Sequence, residues 1–271
     1  MPLTLSTNVP SLANLDFITR MVGKHTQRIS SGLRINSAAD DAAGYAVAMN
    51  LSSRDRSVGQ ALRNTSQGIS YLQTAESANS EVGNLVSRMR EIAVQGASST
   101  LSTSQRTDLQ TELDEVIAEV GRIAAGTEFN KTKLTDGTTT TLTVQVGPNN
   151  STNDQIRLSF GDLGTSTLSV AGLSVASSAS ASAAITTVDT AMDSINSYAS
   201  KYGAQQNRLD SNVANLEVYQ STLQSSYSSI MDADYAYETA QYTRYQVQQQ
   251  AAISVLAQAN VNRQLVLQLL K

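Results

Sequence analysis

Between positions 185 and 230 the chain sets Ile185, Val188, Met192, Ile195, Ala199, Tyr202, Gln206, Leu209, Val213, Leu216, Gln220, Leu223, Tyr227 and Ile230 in alternating steps of three and four residues. That spacing keeps one edge of an α-helix facing a single direction. It predicts one helix of about 70 Å at 1.5 Å per residue. Intrinsic propensity cannot hold a helix of that length, so its seam must lie against partner helices. The obvious partner runs from about residue 58 to 95, where Val58, Leu62, Ile69, Leu72, Val82, Val86 and Met89 form a second apolar stripe. The fold class that follows is mainly α: an elongated antiparallel coiled-coil bundle.

Shorter elements fill in the rest. Leu12, Leu15, Val22, Ile29 and Leu33 mark an amphipathic helix of about six turns, expected to stop across Ser30, Ser31, Gly32 and on to Gly44. Small polar residues after Gly96 end the long second helix, and a third is expected from about 104 to 125 with Leu109, Leu113, Val116, Val120 and Ile123 on one face. The period then changes to two. Leu142, Val144 and Val146, a turn at Gly147, Pro148, Asn149 and Asn150, and then Ile156, Leu158 and Phe160 read as a small β-hairpin, followed by a Ser/Ala/Gly-rich connector to about Ala184. At the other end Ile253, Leu256, Val261, Leu265 and Leu267 supply the apolar positions of a C-terminal helix. The expected division is 1–44 with 231–271 as paired terminal helices, and 45–230 as the bundle, with the hairpin at about 140–175. Each terminal helix is left with an apolar stripe that it cannot bury alone. Such a subunit is disordered at its ends when free, or packs with many copies into an open helical polymer.

Composition agrees with association and removes several other functions. Charged residues make up 15% of the chain, against about 25% in ordinary soluble domains, and Ser, Thr, Asn, Gln and Ala take their place. Uncharged amides and hydroxyls are buried between subunits at lower desolvation cost than ions. A net charge of -4 opposes a phosphate-binding surface, so no nucleic acid partner is expected. Without cysteine there is no disulfide, thiolate nucleophile or Cys-based zinc site. The N-terminus lacks the features of a secretory leader. The apolar stretch at 251–270 is interrupted by Gln258, Asn260, Arg263, Gln264 and Gln268, so no membrane span is expected.

Nor does any cluster point to catalysis, a metal or a cofactor. His25 is the only histidine and reads as a structural or surface residue. Asp40 with Asp41, and Asp232 with Asp234, read as helix caps or as salt-bridge partners of Arg28, Arg34 or Arg54. Tyr235, Tyr237, Tyr242 and Tyr245 read as interface aromatics. The expectation is a structural protein and not an enzyme.

Three short runs carry a family resemblance. SSGLRINSAADDAAG at 30–44 resembles the N-terminal signature of bacterial flagellins, and MDADY at 231–235 with SVLAQAN at 254–260 resembles the C-terminal one. TEFN at 127–130 and LTVQVG at 142–147 extend the resemblance, and the connector at 173–184 lacks the inserted outer domains of larger members. The likeness is therefore to a short, core-only flagellin. It implies an inner filament layer built from the terminal helices and an outer layer built from the bundle and hairpin. It also implies a secreted subunit that self-polymerises into the extracellular flagellar filament for swimming motility. Implied partners are the chain itself, a flagellar export chaperone of the type III route, the filament cap and hook-associated proteins. A hook-filament junction protein is the alternative. SRMREIAVQ at 87–95 is similar to the motif by which vertebrate Toll-like receptors recognise flagellin monomers. The resemblance assigns Arg88, Met89, Arg90, Glu91, Ile92 and Glu112 to subunit contact and receptor recognition, with Ser87 and Met89 as departures from the motif.

Overall fold

A seam with a heptad period needs one large side chain per two helical turns, and the chain supplies it. Val188, Ile195, Tyr202, Leu209, Leu216 and Leu223 stand seven residues apart and are all buried. A computed structural model describes residues 9–269, with side chains described for 12–261. Its helices are α1 (Val9–Ser31), α2 (Ala42–Ala97), α3 (Thr103–Gly126), α4 (Ser178–Met231) and α5 (Tyr235–Leu269). Its strands are β1 (Glu128–Phe129), β2 (Thr132–Lys133), β3 (Thr141–Gln145) and β4 (Gln155–Ser159). The chain divides into two compact units. One joins the chain up to Asp55 with the chain from Ser221 onward, and the other is Arg56–Gln220. Both divisions fall inside continuous helices, α2 and α4, and so lie about ten residues from the expected limits at 44 and 231.

Within Arg56–Gln220, α2 and α4 run antiparallel. A Cβ on Gly68 would meet Leu209 at 3.4 Å, one on Gly83 would meet Ile195 at 3.4 Å, and one on Gly96 would meet Ala181 at 3.3 Å. As one helix ascends in number, the other descends. α3 closes the bundle by burying Leu109, Leu113, Val120 and Ala124 against Val82, Val86, Met89 and Ile92. Its start is fixed by a capping box, in which Ser102 Oγ accepts from Gln105 N and the Gln105 side chain accepts from Ser102 N. The turn before it is closed by Arg106, a buried cation that donates to the carbonyls of Gly96 and Ser98 at the C-terminal end of α2. These are the carbonyls that a helix end leaves without intrahelical donors.

The expected hairpin forms with β3 and β4 in antiparallel register, Val144 opposite Ile156 and Leu142 opposite Leu158. Its connection is longer than the four-residue turn expected, because strand pairing ends at Gln145 and resumes at Gln155 after a 3-10 turn at Thr152–Asp154. Pairing also ends at Ser159, well short of 175. Residues 160–177 are not a passive connector: Leu163, Leu168, Val170 and Val175 are buried in the same core as α3. Gln110 of α3 pins them by donating to Leu173 O and accepting from Val175 N. A second, minimal hairpin that the alternation did not reveal pairs β1 with β2. It turns through Asn130 and Lys131 at φ 48° and 63°, the left-handed pair that a tight hairpin requires.

In the unit formed by the two chain ends, α1 and α5 lie antiparallel, with Gln249 donating to Thr19 Oγ1 and Glu238 meeting His25. The segment between α1 and α2 is short and tied down. Gly32, at φ 72°, lets the chain leave α1, and Leu33 bridges Asp232. Arg34 N donates to Met231 O and Arg34 Nη2 to Ile230 O. Asp41 caps the next helix by accepting from Gly44 N. α2 therefore begins at Ala42 and not near Val58, because Gly44 falls in the first helical turn, packed against Ile35 and Asp41. Asp40 pairs with Lys24 at 3.0 Å instead of with Arg28, Arg34 or Arg54, and the Lys24 ammonium holds its carboxyl below the usual aspartate value. Asp234 caps α5 by accepting from Ala236 N and Tyr237 N.

Candidate assembly surfaces

The α1 and α5 pair has an inside and an outside with different chemistry. Ile18 and His25 are buried at the centre of the α1 stripe, with Leu15, Val22 and Ile29 half-buried beside them. Facing His25 is Glu238, 2% exposed, which accepts from His25 Nδ1 at 2.5 Å and from Arg28 Nη1 at 3.1 Å. Tyr245 stacks on the imidazole with ring centres 5.3 Å apart. This polar knot gives the pair a single register, since sliding α5 by one turn would strand a buried carboxylate. His25 is thus a structural residue, as the sequence suggested. Glu238 was missed, and the signal for it was a lone acid in the first turn of α5 that no nearby cation in sequence could neutralise.

The outside of the same pair is apolar and wet. Leu12 is 57% exposed, and Phe17, Val247, Ile253, Val255 and Val261 are exposed with it. Leu256 is half-buried. Leu265 and Leu267 lie outside the described residues as far as side chains are concerned. Leu33 falls beyond the end of α1 and belongs to the Asp232 bridge, not to the helix stripe. Exposed apolar side chains spread around both helices mark surfaces that other protein covers.

In Arg56–Gln220 a second surface runs over α2 and α3. Arg88 donates to Glu112 across the two helices at 2.9 Å from Nε, and to Glu91 one turn away at 2.7 Å. Glu112 and then Glu91 raise the Arg88 guanidinium above its ordinary value. Arg90 donates to Asp189 of α4 at 2.7 Å. Met89 and Ile92 do not belong to this surface. They are 0% and 1% exposed, because they continue the Val82 and Val86 stripe into the core. The exposed part of the predicted motif is Arg88, Arg90 and Glu91, with Glu112 beside them. Among the described residues no group of three or more His, Cys, Asp or Glu side chains is placed to hold a metal ion. No described helix is long and apolar enough to cross a membrane.

Comparison with known proteins matches both ends of the chain to one family. The bacterial flagellin N-terminal helical region matches residues 5–140, and the bacterial flagellin C-terminal helical region matches residues 185–270. The chain belongs to the bacterial flagellins.

Among this flagellin's relatives, the flagellin of Halalkalibacterium halodurans is 38% identical over 92% of this chain and 91% of its own. The flagellin of Listeria innocua is 35% identical over 98% of this chain and 99% of its own. The flagellar filament 30.7 kDa core protein of Treponema maltophilum is 35% identical over 90% of each. Among solved structures, the crystal structure of Bacillus cereus flagellin aligns with a TM-score of 0.51 at 31% identity, covering 57% of this chain and 88% of that one. A putative flagellar hook-associated protein from Vibrio parahaemolyticus aligns with a TM-score of 0.60, covering 71% of this chain and all of that one. Its 17% identity makes this a likeness of fold alone. As a flagellin, the chain is a structural subunit of the flagellar filament, and the hook-associated alternative has no better support.

Proposed function

We propose that this flagellin works mechanically and without catalysis. In this reading it is secreted unfolded through the flagellar type III channel with a dedicated export chaperone, and added beneath a filament cap distal to hook-associated proteins. The paired terminal helices form the inner layer and the bundle with its hairpin forms the outer one. The observation that carries the reading is the set of exposed apolar side chains on α1 and α5, with Leu12 and Val255 57% and 64% exposed on a pair that is already joined by Glu238. Surface of that kind gains stability only when further copies cover it. The test is to dissociate the protein by heat, restore neutral conditions, add short filament seeds and image by electron microscopy. Long regular tubes are expected. Assembly that halts after a few subunits points to a junction protein instead, and no assembly with seeds overturns the reading.

The Arg88 surface supports a second role for the free monomer, as the epitope of a Toll-like flagellin receptor. Its side chain is half exposed and presents a planar donor fork to a partner. Glu91 and Glu112 already occupy that fork, so a partner must compete with them. Arg88→Ala is expected to weaken receptor binding by about tenfold or more, in line with an arginine at the centre of an interface, while circular dichroism stays unchanged. Equal binding by the variant and the parent chain would remove Arg88 from the epitope.

A further inference from the structure

Charge is distributed unevenly over the surface of Arg56–Gln220. α3 carries Asp108, Glu112, Asp114, Glu115 and Glu119 against two arginines, of which Arg106 is buried. Internal partners engage three of the carboxylates: Glu112 pairs with Arg88, Glu119 pairs with Arg122, and Asp114 accepts from Gln110 Nε2. Asp108 and Glu115 are exposed and form no ion pair with any described residue. Seven residues apart, they sit on one line of the helix, separated by about 10 Å.

Elsewhere in the same unit, β4 and α4 frame an open groove of about 640 Å³ whose lining includes Asn153, Gln155, Asn207, Arg208 and Asn212. Arg208 is exposed and likewise has no ion-pair partner among the described residues. Neither Asp154, which lies between the lining residues Asn153 and Gln155, nor Asp210 forms an ion pair with it. Asp154 is turned over Gly147, and Asp210, two residues along α4, points to the other side of that helix. A guanidinium set among primary amides is a donor-rich site that fits carboxylates presented on a helix. One chain therefore carries both halves of a charge complement and satisfies neither internally.

We propose that the Asp108 and Glu115 face of α3 in one copy docks into the Arg208 groove of a second copy. This contact rests on the filament reading and names one of its interfaces. The two surfaces differ, so the contact is heterologous, the kind that builds an open helical polymer when its rotation does not close. Paired charges of this kind govern encounter rate and register more than total affinity.

The test uses the full chain in seeded elongation, with Glu115→Arg and Arg208→Glu made separately. Both positions are exposed, so each variant is expected to keep the parent's circular dichroism. Alone, each is expected to elongate at least about tenfold more slowly, because like charges then face each other. Mixed in equal amounts they are expected to recover: the basic α3 of one variant meets the acidic groove of the other, and the second contact is the parent's basic groove against its acidic helix. Parent-like elongation by both single variants, alongside normal growth of the parent chain, overturns the docking and leaves the filament reading standing. Two slow variants whose mixture stays slow overturn it as well. A parent chain that never elongates removes the filament reading and this contact together.

Discussion

Replacing Glu238 with alanine is expected to loosen the α1 and α5 pair while Arg56–Gln220 stays folded. Glu238 is 2% exposed and is the shared acceptor for His25 and Arg28. Removing it leaves a guanidinium inside the pair with no counter-charge and an imidazole without its hydrogen-bond partner, and Arg28 Nε is already buried without an acceptor. Loss of one partner from a buried charged cluster costs about 3–5 kcal/mol, which is a large share of what two helices contribute. Glu238→Gln keeps the shape and one acceptor oxygen, so its cost should be smaller. Hydrogen exchange reads the difference directly: amides of α1 and α5 should lose protection in Glu238→Ala, with those of α3 and the Arg56–Gln220 part of α4 unaffected. Unchanged protection of α1 and α5 would mean that the apolar stripe alone holds the pair.

The larger effect on assembly is expected from deleting residues 251–271. This removes the exposed apolar side chains of Ile253, Val255 and Val261 and leaves the Glu238 knot and the Gln249 to Thr19 hydrogen bond in place. Among the described residues, none of the side chains in the cores of Arg56–Gln220 comes from this segment. The truncated chain should therefore keep its helical circular dichroism and two-unit organisation but fail to elongate on seeds. Ordinary filaments from the truncated chain would show that the terminal helices are not the inner contact.

The bundle was legible because its side chains obey a helical period over great length. Val188 through Leu223 announce themselves at every seventh residue, and the α3 stripe reads equally well from Leu109 to Ile123. What failed to show follows from short range or from tertiary override. β1 and β2 are two residues each, too short for alternation to register. Gly44 and the serines before it looked like the end of helical structure, yet Asp41 and the close packing of Ile35 confine the break to a few residues. Residues 160–177 looked like a linker because Ser, Ala and Gly dominate them, whereas four spaced apolar residues and Gln110 decide their placement. The assembly surfaces were legible in part. Sequence spacing placed Arg88 and Glu112 beside each other only through a resemblance, and it could not separate them from Met89 and Ile92, which share the segment but face inward.

The two tight corners next to α2 are held by opposite kinds of charge. Before it, Asp40 accepts from Lys24 and from backbone donors at Asn36 and Ser37. That carboxyl sits below its ordinary value of 3.8, so the stability it contributes is complete above that value and is lost as pH falls through the lowered one. After α2, the corner is closed by Arg106 on two carbonyl oxygens, with no carboxylate involved. Carbonyl oxygens are not protonated over that range, so this contact has no carboxylate to lose. Acidification thus weakens one of several ties at the first corner and leaves the acceptors at the second unchanged.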